Sequence, residues 1–164
     1  MRILGIDPGL ATIGYGVIDV ENSKSKVISY GVISTPKDKT MPERLAIIES
    51  DLNTIIDKFS PDEIAIEELF FNTNITTGIN VAHARGVIVL TCLKKVGKLF
   101  EYTPLQIKQA LTGYGRAEKR QIQEMTKTFL CLKSIPRPDD AADALAVALT
   151  HSHTNKLKGS FEIK

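Results

Sequence analysis

Three strand-like segments joined by short links fill the chain from Ile3 to Ser34, and this run restricts the fold more than any other feature. Ile3, Leu4 and Ile6 form an apolar strand that ends at Asp7, and Pro8-Gly9 marks a turn directly behind it. Gly14–Val20 and Val27–Ser34 read as two more strands across the polar turn Glu21–Lys26, which predicts an antiparallel meander. Helical spacing follows: Leu45, Ile48, Leu52, Ile55, Ile56 and Phe59 recur within Pro42–Phe59, and Ser60-Pro61-Asp62 stops that helix. Glu63–Glu67 predicts a strand, Ile79–Val96 a long apolar helix, Lys98–Tyr102 a fifth strand and Pro104–Leu111 a short helix. Glu118–Leu132 and Asp140–Thr150 complete the pattern as two further helices.

A meander followed by crossovers through helices gives a mixed α/β sheet. Right-handed crossover sets the fourth strand, and by extension the fifth, parallel to the first. The 164 residues show no repeat and no linker, so one domain is expected over residues 1–153, followed by a short basic tail over 154–164. With 43% hydrophobic and 24% charged residues, disorder and fibrous classes are excluded. No apolar run approaches the roughly 20 residues of a membrane span, and Arg2 leads straight into a strand without signal-peptide character, so the expected compartment is the cytoplasm. Cys92 and Cys131 read as small buried hydrophobes rather than as a disulfide or a zinc site.

The acids carry the chemistry. Asp7 ends the first strand and Glu67 the fourth, and parallel neighbours would bring both to the same carboxyl end of the sheet, where α/β sites form. Asp140 and Asp143 are three apart at the start of the last helix, hence on one face of it. Asp139 is expected to cap that helix, which leaves Asp140 free. Four converging carboxylates repel unless hard divalent cations join them, and such ions on a phosphodiester suit hydrolysis. Taken singly, Asp7 before Pro8-Gly9 reads better as a turn residue than as a ligand, and Glu67 or Glu68 as a solvated strand end. Net charge is +2, so four acids gathered in one pit would leave the remaining surface more basic, as a polyanion requires.

Gly5-Ile6-Asp7-Pro8-Gly9, Gly14-Tyr15-Gly16-Val17-Ile18, Ala65-Ile66-Glu67, Ala84-Arg85-Gly86, Gln106-Ile107-Lys108-Gln109, Ala117-Glu118-Lys119 and Asp140-Ala141-Ala142-Asp143-Ala144-Leu145-Ala146 occur in that order. The set resembles the RuvC family of bacterial Holliday-junction resolvases from Met1 to about His153. That resemblance implies an RNase H-like fold and a homodimer making paired symmetric nicks across a four-way DNA junction. Asp7, Glu67, Asp140 and Asp143 match the family's catalytic, metal-holding acids, with two Mg2+ expected and Mn2+ able to substitute. Some relatives carry His at the last position; here it is Asp143. Lys108 and Lys119 match basic residues near the scissile phosphate, and Phe70 matches a stacking aromatic, with Phe71 the second candidate. A branch-migration helicase partner is implied by the family alone.

From the residues themselves, Arg116, Lys119 and Arg120 around Gly115 form a candidate phosphate contact. His83, His151 and His153 lack a metal pattern and read as surface or packing residues. Three other classes remain open on the sequence. An actin-like ATPase shares the opening turn but needs a second domain; a junction-binding protein without chemistry would not need four acids; another RNase H-like nuclease would cut RNA in a hybrid. The small residues Ala82, Ala84 and Gly86, with Val81, Val87, Ile88, Val89, Leu90 and Leu93, make the long helix a candidate dimer surface.

Overall fold

The computed structural model describes residues 1–69, 75–154 and 159–163. The strands are β1 (Arg2–Asp7), β2 (Thr12–Glu21), β3 (Lys24–Ser34), β4 (Glu63–Glu67) and β5 (Leu99–Tyr102). The helices are α1 (Met41–Phe59), α2 (Ile75–Val96), α3 (Pro104–Thr112), α4 (Lys119–Phe129) and α5 (Asp139–His153). The sheet runs β3-β2-β1-β4-β5. β1, β2 and β3 pair antiparallel, while β4 is parallel to β1 and β5 to β4. This is the mixed five-stranded sheet expected from the meander and the crossovers.

Side-chain alternation along the strands divides the core into two layers. Leu4, Ile6, Val17, Ile64 and Ile66 pack against Ile48, Leu52 and Ile56 of α1 and Ala84, Ile88 and Cys92 of α2. Ile3, Ile18, Ala65, Phe100 and Tyr102 pack on the other face, against Leu145 and Leu149 of α5 and against α3 and α4. The alanine-rich α5 lies across the middle of the sheet, and ten of its residues are buried. Among the described residues no helix is long and apolar enough to cross a membrane.

The differences from the sequence reading have local causes. α2 begins at Ile75, inside the stretch read as a loop from Asn72 to Gly78. The propensity deficit of threonine is below about 1 kcal/mol, and a long packed helix overrides it. α4 stops at Phe129 rather than Leu132, because Leu130 is the C-cap and Cys131 turns left-handed at φ 51. Cys131 is therefore exposed, not buried, whereas Cys92 is buried as expected. His151 is fully buried and forms a polar clasp, a role that packing alone did not suggest. Its Nδ1 lies 2.7 Å from the Tyr102 hydroxyl and its Nε2 2.8 Å from Glu63 Oε2. Beyond His153 the chain returns to the sheet: Glu101 N–H donates to Phe161 O and Ile163 N–H to Leu99 O (2.8 and 2.9 Å).

Candidate active site

β1 and β4 run parallel in register, Ile6 beside Ile66, so their last residues Asp7 and Glu67 emerge together. Alternation sends Glu67 toward α5 and the following Glu68 to the opposite face. There Glu68 lines a separate cavity with Arg85 and Glu101. The third contributor is α5, and its approach depends on glycine. A Cβ at Gly14 would stand 1.9 Å from Asp140 O, and one at Gly5 2.1 Å from Ala144 O. Gly14 is also the β2 partner of Asp7. Helix and sheet thus meet backbone to backbone, which carries Asp140 and Asp143 up to Asp7. The sequence alone gives neither glycine this role, since it shows only when a helix lies over them.

Asp7, Glu67, Asp143, Lys108 and Lys119 line one pocket of about 290 Å³, walled by Pro104, Ile107, Ile122 and Ala146. Lys108 projects from α3, which is opened by Pro104 and a reciprocal Thr103–Gln106 capping box. Lys119 Nζ donates to Asp143 Oδ2 at 2.8 Å and lies 3.7 Å from Asp139 Oδ2. Asp140 does not line the pocket, but its charge acts on Asp7. Asp139 is not the cap expected from the sequence. Pro138 holds that position with extended backbone, and the Asp139 carboxylate is taken by Arg137 and Lys119. Arg116 and Arg120 face a different groove, so the basic cluster read around Gly115 divides, with Lys119 alone turned to the acids. Phe70 and Phe71 lie outside the described residues.

The electrostatics are those of a pit awaiting positive charge. Burial, then the charges of Glu67, Asp143 and Asp140, push the Asp7 carboxyl up from 3.8 to about 8, against the pull of Lys119. Burial and Asp143 push Glu67 from 4.5 to about 7, opposed by Lys119 and Lys108. Burial also raises Asp143, although Lys119 counteracts it. Burial disfavours the Lys119 charge, but its hydrogen bond to Asp143 and the surrounding acids prevail, and its pKa rises. Among the described residues no group of three or more His, Cys, Asp or Glu side chains is arranged to enclose a metal ion. The donor chemistry nevertheless fits one: the pocket offers hard carboxylate oxygens, and Asp143 already draws in the Lys119 ammonium.

A stability prediction follows from these shifts. In the metal-free protein Asp7 and Glu67 hold protons more tightly than in the unfolded chain. Their protonated forms favour the fold at low pH, and that contribution is lost as pH rises through about 7 and then 8. The melting temperature in chelator is therefore expected to fall from roughly pH 4, where these carboxyls ionise in the unfolded chain, and to level off above about pH 8. Asp7→Asn should flatten the fall and raise the melting temperature at the alkaline end by about 2–8 °C, given about 2–4 °C per kcal/mol for a chain of this size. Calorimetry at several pH values reads this directly; a melting temperature that climbs with pH in wild type would contradict it.

A mixed five-stranded sheet with an antiparallel β1-β2-β3 meander, parallel β4 and β5, and flanking helices is the fold of the RNase H-like resolvases. The solved structure of RuvC from Thermus thermophilus superimposes with a TM-score of 0.91 at 33% identity, covering 99% of this chain and 100% of that one. The same protein in complex with a Holliday junction substrate gives 0.90 at 30% identity, with the same coverage. The yeast mitochondrial Holliday junction resolvase shares the fold alone, at 16% identity, a TM-score of 0.70 and coverage of 96% and 82%. The chain belongs to the RuvC family: the family described as crossover junction endodeoxyribonuclease RuvC matches residues 3–151. Crossover junction endodeoxyribonucleases RuvC of Finegoldia magna and Alkaliphilus oremlandii are 55% and 56% identical over 164 residues, 100% of each chain.

Proposed function

We propose that this chain is a crossover junction endodeoxyribonuclease that resolves four-way (Holliday) junctions during recombination and repair, by paired hydrolytic nicks. The observation that carries the reading is the convergence of Asp7, Glu67 and Asp143 with Lys119 in one pocket, in a chain of the RuvC family. Asp7, Glu67, Asp140 and Asp143 would hold two Mg2+, with Mn2+ as a substitute. Bound there, the cations would supply Lewis-acid charge at the scissile phosphate.

The chain's own residues do the rest. Asp7 and Glu67 enter the reaction as carboxylates, having given up the protons that burial favours. Lys119 leaves Asp143 and turns toward the phosphate, where its charge offsets the charge that develops on oxygen. Lys108 does the same from the facing wall. Phe70 stacks on an unpaired base at the crossover, with Phe71 as the alternative. Two copies related by a twofold axis place two such sites on opposed strands. A branch-migration helicase as partner and a cytoplasmic location extend the same reading.

Cleavage of four-way DNA, linear duplex and RNA–DNA hybrid, compared with and without Mg2+, tests this reading. Paired nicks confined to the four-way DNA are expected; preferential cutting of the hybrid would favour the other nuclease. Arg116 and Arg120 are proposed as phosphate contacts away from the reacting centre. Arg116→Ala and Arg120→Ala should each flatten the slope of log affinity against log salt by about one unit, with cleavage at saturation preserved. An unchanged slope in the double variant would remove both from the interface.

A further inference from the structure

The groove between α3 and α4 holds more than two arginines. It encloses about 820 Å³ and is lined by Tyr114, Arg116, Arg120, Gln121, Glu124 and Met125, among others. Tyr114 is 57% exposed. Exposure of a single ring means little by itself; the way this ring is held is the stronger observation. The Thr112 hydroxyl reaches the carbonyls of Lys108 and Tyr114 (2.8 and 3.0 Å) and accepts the Tyr114 N–H (3.1 Å). Gly113 takes the left-handed conformation at φ 71, and Ala117 N–H closes the turn on Tyr114 O at 3.2 Å. A Cβ at Gly115 would stand 2.5 Å from the Leu105 side chain, so the turn is seated on α3. The backbone is fixed on both sides of an aromatic ring that stays more than half exposed.

The charge around it is uneven. Glu124 is engaged by Lys127 at 3.2 Å, and Glu118 stands at the N-terminal end of α4, where the helix dipole favours it. Arg116 and Arg120 have no ion-pair partner among the described residues. Lys119, between them in sequence, points the other way, into the acids. One turn of α4 therefore joins the reacting centre to the groove. From Glu118 to Met125 the helix rises roughly 10 Å, the span of about three base-pair steps.

Resting on the nuclease reading, we infer that this groove is the seat of one duplex arm of the substrate next to the cut strand. Tyr114 packs its ring against the deoxyriboses of that arm, while Arg116 and Arg120 take its phosphates. A duplex arm keeps its bases stacked and offers the ring no base face, but it does expose apolar sugar edges. The contact is indifferent to sequence, and it fixes how far along the arm the scissile phosphate lies.

Hydroxyl-radical footprinting of four-way DNA bound in Ca2+ reports which deoxyriboses are covered. Wild type should protect a short run in one arm, within about one helical turn of the nick, in addition to the crossover. Tyr114→Ala should lose that run, keep the crossover protection and bind roughly 3–10-fold more weakly, while Tyr114→Phe keeps both. The melting temperature should not move, since the turn is held by backbone and Thr112. Absence of the arm protection in wild type, an unchanged footprint in Tyr114→Ala, or a uniform loss at every position would each overturn the inference. A failure of wild type to cut four-way DNA in Mg2+ despite an intact arm footprint would instead sink the nuclease reading and leave the groove assignment standing.

Discussion

Asp7→Asn, Glu67→Gln, Asp140→Asn and Asp143→Asn are each expected to lower junction cleavage by roughly 10³-fold or more while leaving affinity in Ca2+ within about twofold. Asp7 and Glu67 sit at the floor of the pocket, with carboxyls so ill-disposed to ionise that their pKa values rise to about 8 and 7. An amide there cannot draw in a cation, yet it costs the fold nothing, and the proposed phosphate contacts Arg116 and Arg120 lie on other elements. Lys119→Ala should behave differently: about 10²–10³-fold in rate, the worth of one donor aimed at a developing anion, with the metal requirement intact. Single-turnover cleavage beside equilibrium binding separates these effects. Substantial cutting by any of the four acid variants, or by wild type in excess chelator, would refute the assignment.

Leu90→Glu and Leu93→Glu are expected to split the proposed homodimer, raising its dissociation constant roughly 10²-fold or more, because a twofold interface meets each substitution twice. The structure sharpens the surface that the sequence indicated. Ala84 and Ile88 are buried within the chain and Val87 and Val89 pack on its own core, so they are unavailable to a partner. Ile79, Leu90 and Leu93 remain half exposed, at 52%, 52% and 50%, on a face where a Cβ added to Gly86 meets nothing within 4 Å. Three large apolar side chains in one stripe, with small Ala82 and Gly86 between them, fit close approach of an identical helix. Sedimentation at micromolar concentration, with and without the substitutions, is decisive. The monomeric variants should nick one strand at a time, and paired nicking by a strict monomer would overturn the symmetric arrangement.

Much of this was legible in the chain, and the reasons are physical. Period-two and helical spacings gave the order of the ten elements, and the turn at Pro8-Gly9 placed Asp7 at a strand end. Parallel pairing of β1 with β4 then followed from crossover handedness. The close seat of α5 was hidden, because Gly5 and Gly14 acquire their meaning only when a helix lies over them. The direction of Lys119 and the His151 clasp are equally settled by neighbours distant in sequence, while Asp139 is drawn off the cap by adjacent Arg137 as well as by Lys119. A one-letter pattern shows that Lys119 and Arg120 adjoin; only helical geometry sends them to different sides of α4.

The return of the chain at Phe161–Ile163 has a practical consequence for anyone shortening or tagging this protein. Those residues hydrogen-bond to Leu99 and Glu101, so the outermost parallel strand does not present its amide row to solvent there. A chain cut at His153 would keep every acid of the site yet leave an apolar, unguarded sheet border, the kind of surface through which folded proteins aggregate. It would also strip Phe161 from the Tyr102 ring, whose centroid is 4.9 Å away, on the residue paired with Glu67. The last few residues thus act as a selvedge.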